Sequence, residues 1–141
     1  STAFHEKANF GDFDSISLEM SKLFKNRIQF LGFLSDEAVN HFIVQSQLFV
    51  AFFEKGIRDN NSSVLGAMAT SCAVLTNCDE YSPKWMKHEK NILDINRNNF
   101  NISNKDFLKK IGERANKDIK KYAGWQKLIE ALNYNIEKGV A

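Results

Sequence analysis

Residues 60–78 read NNSSVLGAMATSCAVLTNC, a stretch of nineteen residues without a charged side chain in a chain whose residues are 26% charged. Its apolar body runs only from Val64 to Leu75, which is twelve residues, whereas a membrane-spanning helix needs about twenty. Most residues of this body are small, and small side chains let neighbouring helix backbones approach closely. The stretch therefore predicts a buried central helix that begins at Ser62 or Ser63 and packs among larger side chains.

Two helices are predicted before this stretch, the first from apolar residues at three-and-four spacing. The first begins at Asp14 or Ser15 and runs to about Leu34. The second begins at Ser35, which is a suitable N-cap, and runs to about Arg58 through an apolar and phenylalanine-rich middle. We expect these two helices to supply the large side chains around the central one.

Two further helices are predicted after it. Pro83, the single proline, suits the first position of a helix that ends near Asn96. The last helix begins near Asn104 and carries an apolar stripe to the end of the chain, through Gly112 and Gly124. Because each glycine costs up to about 1 kcal/mol in a helix interior, this segment is either one long helix or two pieces that meet near Gly124.

These segments predict an all-α fold. We expect a single-domain helical bundle of five to six helices, with a small-residue central helix and a long amphipathic C-terminal helix. Residues 1–14 form an aromatic N-terminal arm and residues 15–141 form the domain, since 141 residues suit one compact core. No alternating apolar and polar pattern indicates a strand.

Net charge, cysteine content and the N-terminal sequence indicate the cellular compartment. The formal net charge is +2, too small to indicate nucleic acid or an anionic membrane by itself. Two cysteines, Cys72 and Cys78, do not make a disulfide framework. The N-terminal STAFHEKANFGDF lacks the basic and apolar regions of a signal peptide. We predict a cytoplasmic protein with free thiols and no membrane span.

The sequence contains no motif that indicates catalysis or a metal. The segment from Asp94 has the oxygen spacing of a calcium loop, but Lys105 stands where a glutamate has to close the site. Cys72 and Cys78 are six positions apart, about 120° on a helix, and cannot bind one metal together. No phosphate-binding glycine loop or nucleophile motif occurs. We predict a non-enzymatic protein without cofactor or metal.

The leading functional hypothesis is a structural or interaction protein that acts through self-association or protein–protein contacts. A helix of thirty residues would be about 45 Å long, longer than a compact domain of this size, so part of its stripe needs a partner. The expected partner is a second copy or another protein. The predicted interaction residues combine the aromatic arm and the end of the stripe: Phe4, Phe10, Phe13, Trp125, Ile129, Leu132 and Ile136.

Two alternatives stay open. The polar face of the last helix could follow a phosphate backbone, which would make this a nucleic-acid-associated protein. Its basic residues are Lys109, Lys110, Arg114, Lys117, Lys120, Lys121 and Lys127. Asp106 and Glu113 share that face and weaken the alternative. A weaker alternative is a bundle that holds a small apolar ligand between the phenylalanine-rich helices and the small-residue helix.

Overall fold

The computed structural model describes residues 10–97 and 101–124, with side chains from residue 14 onward. The chain divides into two compact units, residues 1–35 and residues 36–141. Among the described residues, no helix is both long enough and apolar enough to span a membrane.

The described part of the first unit contains one α-helix, α1 (Phe10–Phe24), followed by a single 3-10 turn at Lys25–Arg27. The helix predicted to reach Leu34 therefore ends ten residues earlier. Lys25 has a φ of 54°, in the left-handed region, and one such residue stops a right-handed helix. None of the described side chains of this unit is buried.

The described part of the second unit contains both helices and strands. Its elements in chain order are α2 (Asp36–Gln45), β1 (Leu48–Val50), α3 (Ser62–Ala69), β2 (Ala73–Thr76), β3 (Leu93–Asp94) and α4 (Lys105–Tyr122). The strands form one parallel sheet in the order β1-β2-β3. Leu48 pairs with Ala73 at one end of the first ladder, and Leu75 pairs with Leu93 in the second.

The prediction of an all-α helical bundle is wrong, because the described chain is a mixed α/β protein with four α-helices and a three-stranded parallel sheet. The second predicted helix is α2 followed by β1, and the central one is α3 followed by β2. Turns and β3 occupy most of the fourth. Parallel strands are buried on both faces, so they read as short continuous apolar runs and not as an alternating pattern.

The central stretch changes from helix to strand at Ser71. This residue has a φ of 64°, and the N–H of Cys72 donates to the carbonyl of Ala67 at 3.0 Å, which closes the last turn of α3. Residues 72–76 are all buried, so the lack of charge does reflect burial. The second half of the stretch is thus the central strand of the sheet.

Helices pack against both faces of the central strand β2, because successive side chains of a strand point in opposite directions. Val74 belongs to a buried cluster with Val64 and Met68 of α3. Ala73 and Leu75 belong to a second cluster with the first half of α4. The result is a layered α/β arrangement with β2 at its centre.

The last helix, α4, is amphipathic, continues through Gly112 and ends before Gly124. Asn104 is its N-cap and accepts a hydrogen bond from the N–H of Phe107 at 3.0 Å. The N–H of Ala123 donates to the carbonyl of Ile119 at its end. Its buried face consists of Leu108, Ile111, Gly112, Ala115 and Asp118.

Candidate functional site

The three parallel strands end at the same edge of the sheet, so the loops that follow them meet there. We call this the carboxyl edge and define it as residues 51–61, 77–82 and 95–97. Helix α3 connects the end of β1 to the start of β2, so its N-terminus also lies at this edge. The carboxyl edge therefore gathers three loops and one helix N-terminus.

Asn77 joins the loops that follow β1 and β2. Its Oδ1 accepts from the N–H of Phe53 at 2.8 Å, and its Nδ2 donates to the carbonyl of the same residue at 2.7 Å. The carbonyl of Asn77 also accepts from the N–H of Ile57 at 3.0 Å. One amide side chain thus fixes the first loop in the way that a neighbouring strand would.

A bidentate ion pair joins the same two loops. Arg58 donates from Nη1 to Asp79 Oδ1 at 2.8 Å and from Nη2 to Asp79 Oδ2 at 2.6 Å. Asp79 Oδ1 also accepts from the N–H of Tyr81 and the hydroxyl of Ser82. These contacts, the Arg58 hydrogen bond first among them, lower the pKa of Asp79 to about 2. Asp79 is therefore ionised at neutral pH.

Gly56 allows the loops to approach this closely. Its φ is 69°, and a Cβ at this position would lie 2.9 Å from Cγ of Asp79. Any other residue would strain the backbone and displace the carboxylate. The loop after β1 therefore favours glycine at this point.

Asp94, the last residue of β3, holds the third loop. It is buried, and its Oδ1 accepts from the N–H groups of Cys78 and Asn96, both at 3.1 Å. Asn96 Nδ2 donates to the carbonyl of Cys78 at 3.0 Å. Arg97 lies 3.9 Å from Asp94 Oδ2, and its side chain is 72% exposed. The third loop therefore adds an exposed cation to a fixed backbone.

Among the described residues, no side chain caps the N-terminus of α3. Asn61 occupies the N-cap position, but its Oδ1 accepts from the N–H of Arg58 at 2.6 Å and not from the first turn of the helix. Ser62 and Ser63, the first two helical residues, are exposed. Uncapped N–H groups carry a partial positive charge and satisfy themselves with water or a ligand.

Thr76 presents a second unsatisfied polar group at this edge. It is the last residue of the central strand, it is fully buried, and its Oγ1 has no hydrogen-bond partner among the described residues. By alternation its side chain lies on the same face as Val74, the face that packs against α3. Buried hydroxyls without a partner are rare in folded proteins.

The two cysteines do not provide a reactive thiolate. Burial, with the charge of Asp94 as a second cause, raises the pKa of Cys78 to about 11. Burial also raises the pKa of Cys72. Both thiols are therefore protonated at neutral pH. Within the described residues, no group of three or more histidine, cysteine or acidic side chains is placed to hold a metal.

The predicted interaction residues fall largely outside the described part of the chain. Those without any described position are Phe4, Trp125, Ile129, Leu132 and Ile136. Phe10 and Phe13 belong to α1, but their side chains are also outside the description. The proposed protein-interaction surface therefore stays a prediction.

The predicted basic face is on the exposed side of α4 as far as the helix is described. Its exposed members are Lys109, Lys110, Arg114, Lys117, Lys120 and Lys121, whereas Lys127 lies outside the described residues. Arg114 Nε donates to Asp118 Oδ2 at 3.1 Å. The other described members have no ion pair with a described residue.

No pattern in the sequence assigns a role to a residue of the carboxyl edge. The sequence does place polar residues after short apolar runs: Asn77 and Asp79 closely follow AVLT, and Asp94 directly follows IL. Polar side chains at the end of an apolar run indicate a site only when that run is a strand. An all-α interpretation contains no strand ends, so it gives Asn77, Asp79 and Asp94 no role.

Comparison with known proteins finds no match among protein-family models, curated proteins or solved structures.

Proposed function

We propose that this chain binds a phosphorylated ligand of the nucleotide class at the carboxyl edge of its sheet. The proposal rests on one observation above all: the N-terminus of α3 is uncapped at the edge where the three parallel strands end. Open α/β sheets bind their ligands in the crevice outside the carboxyl ends of the strands, and nucleotides are frequent among them. The ligand class is an analogy at the level of the fold.

The groups at this edge suit phosphate oxygens. First-turn N–H groups of a helix donate to phosphate, and the helix dipole favours its charge. The exposed hydroxyls of Ser62 and Ser63 add donors at the same position. Arg97 offers a largely exposed guanidinium on the loop after β3. The contacts of Asn77 and Arg58 hold the loops in place before a ligand binds, which reduces the ordering cost of binding.

The direct test is calorimetric titration of the protein with nucleoside mono-, di- and triphosphates. We expect saturable binding of at least one of them. Ser62→Glu should weaken this binding by about tenfold, because its carboxylate repels the phosphate. The same carboxylate favours the first turn of a helix, so the fold should be retained.

Ser103→Glu is the matched control. Ser103 is exposed and lies just before α4, whose N-terminus Asn104 already caps. We expect this variant to bind within about twofold of the unmodified protein, because it adds the same charge away from α3. Absence of saturable binding in the unmodified protein, or an equal loss in both variants, would contradict the proposal.

The remaining functional hypotheses are not replaced by this proposal. Action through self-association, the absence of catalysis and a cytoplasmic location stay predictions. The apolar-ligand alternative required an all-α bundle, and that architecture is absent from the described residues.

A further inference from the structure

A second feature of the unit formed by residues 36–141 is a cleft between α4 and the segment that precedes β3. Its volume is about 350 Å³. Lys84, Lys87 and Lys90 lie on one side, and Arg114 of α4 lies on the other. Asn91 and Asp118 also line it. We call this the α4 cleft.

The α4 cleft carries an excess of positive charge. Four cationic side chains and one carboxylate line it, which leaves a formal excess of three. None of its three lysines forms an ion pair with a described residue. Arg114 contacts Asp118 through Nε at 3.1 Å, so its two Nη groups are not used in that contact. Cations on both walls of a cleft concentrate small anions there.

Buried polar contacts fix the lysine-bearing segment to α4. Asn91 is 1% exposed, and its Nδ2 donates to Asp118 Oδ2 at 2.8 Å and to the carbonyl of Trp85 at 2.9 Å. Its Oδ1 accepts from the N–H of Lys87 at 2.7 Å. Asp118, itself buried, thus receives hydrogen bonds from both sides of the cleft. A satisfied buried network of this kind holds its members rigidly.

Two aromatic rings close part of the wall. Trp85 stacks on Tyr122 with ring centroids 5.5 Å apart and an interplanar angle of 18°. Trp85 Nε1 donates to Asp59 Oδ1 at 3.2 Å, which fixes the indole, and the Lys121 ammonium lies 4.9 Å from the centroid of the Tyr122 ring. The cleft thus combines fixed walls with long cationic side chains at its opening.

We propose that the α4 cleft binds a small anion with a phosphate or polyphosphate group. The volume lies in the range of small-molecule sites, about 300–1,000 Å³. Lysine ammoniums neutralise phosphate as point charges, and the free part of the Arg114 guanidinium adds directional donors. A small ligand is favoured over a nucleic-acid strand because Asn91 and Asp118 are buried and bonded to each other, and so form a base to the cleft and not an open track.

The proposal concerns a different surface from the carboxyl edge. None of the described residues that line the α4 cleft belongs to residues 51–61, 77–82 or 95–97, and the one contact named between the two surfaces is the hydrogen bond from Trp85 to Asp59. It also uses Lys84, Lys87 and Lys90, which the basic-face hypothesis did not include. The two proposals can therefore fail separately.

The test is titration with inorganic pyrophosphate, followed by calorimetry and by the NMR signals of the Asn91 side-chain amide and the Arg114 Nε–H, which both contact Asp118 in the cleft. We expect saturable binding that shifts both signals. The variant Lys87→Gln/Lys90→Gln should bind pyrophosphate about tenfold more weakly, because two charged donors are lost. The variant Lys109→Gln/Lys120→Gln removes the same charge from α4 outside the cleft, and should bind within about twofold of the unmodified protein.

Two further measurements distinguish the α4 cleft from the carboxyl edge, and a small anion from a nucleic-acid strand. Ser62→Glu should leave the pyrophosphate affinity measured at the Asn91 amide signal within about twofold, since that signal reports the α4 cleft and Ser62 lies at the carboxyl edge. A single-stranded oligonucleotide without terminal phosphates should bind more weakly than pyrophosphate at the same salt concentration. No saturable pyrophosphate binding, an equal loss in the two lysine variants, or stronger binding of the oligonucleotide would each overturn the proposal.

Discussion

Gly112 lies where α4 approaches the turn that precedes β2. A Cβ at this position would overlap the carbonyl oxygen of Ser71. The backbone on both sides is fixed, on one side by helix α4 and on the other by the closed end of α3. The absence of a side chain at Gly112 is therefore what allows helix and sheet to pack at this distance.

Gly112→Ala should destabilise the protein. Overpacking of a close contact costs about 1–3 kcal/mol, and the helix propensity gained from alanine is smaller, about 1 kcal/mol. The measurement is the free energy of unfolding in urea. Gly66→Ala is the control, because Gly66 lies in α3 with no atom near the added Cβ, and we expect a stabilisation of up to about 1 kcal/mol. A Gly112→Ala variant as stable as Gly66→Ala would contradict this packing.

Asp79 makes a pH-dependent contribution to stability. Arg58 is the first cause that lowers its pKa, from 3.8 to about 2. A carboxyl group with a lowered pKa in the folded state stabilises above its unfolded pKa, and this contribution is lost as the pH falls through the folded value. The relevant window therefore extends from about pH 4 down to about pH 2.

Asp79→Asn tests this contribution. At pH 7 the variant should be less stable than the unmodified protein, and the difference should shrink as the pH falls from about 4 to about 2. Denaturant unfolding at several pH values measures it. Glu80→Gln removes an exposed charge one position along the chain and should show no such convergence. A stability difference for Asp79→Asn that does not change between pH 7 and pH 2 would exclude the mechanism.

At the scale of elements, the ends of α3 and α4 differ in a way that can be measured. Asn104 caps α4 through the N–H of Phe107, whereas Asn61 does not cap α3. Asn104→Ala should lower the free energy of unfolding by about 0.5–2 kcal/mol, the usual value of an N-cap. Asn104→Asp retains an acceptor and should remain close to the unmodified protein. Equal losses in both variants would show that the cap contributes nothing.

The sequence predicts elements whose apolar residues recur at helical spacing. Helix α4 is the best example, because Leu108, Ile111 and Ala115 recur at helical spacing behind the N-cap Asn104. The strand β2 was missed, because its four residues are buried on both faces and show no period of two. The strand β1 has three residues, too few to show any period. The helix-to-strand change at Ser71 depends on a single φ angle.

The candidate site was missed for the same reason. The position at or just after a strand end is what marks Asn77, Asp79 and Asp94 as candidate site residues. Those strand ends are visible only in the folded sheet. The α4 cleft could be predicted from the sequence only in part, since Arg114 belongs to the predicted basic face. Its lysines come from a segment that was assigned to a helix, and their position opposite α4 depends on the buried bond between Asn91 and Asp118.

At the scale of the whole molecule, self-association stays a prediction, and the first unit offers residues with which to test it. Large apolar side chains that are more than a third exposed occur throughout its described part: Ile16, Leu18, Leu23, Phe24, Phe30, Leu31 and Phe33. Apolar side chains that group together on a surface are frequent at contacts with another protein. We expect a second copy of the chain to contact this unit.

Light-scattering mass after size exclusion checks this expectation. The mass should be a multiple of 16.1 kDa. Leu18→Lys/Leu23→Lys should shift it toward the monomer, because charge in an apolar interface is costly. Ile102→Lys, at an exposed apolar residue of the second unit, should leave the mass unchanged. A monomeric unmodified protein would refute self-association and leave the two binding proposals as they stand.

The parallel sheet also determines how the chain reaches its fold. Leu48 pairs with a residue 25 positions further along, and Leu75 with one 18 positions further along, so neither ladder can begin as a hairpin. The entropy of closing such loops is lost before the first ladder bond forms, whereas α4 forms from neighbours within about a microsecond. Refolding should therefore show helical ellipticity early and strand pairing late. Because pairing of the strands then limits the rate, Val74→Ala in the central strand should slow folding.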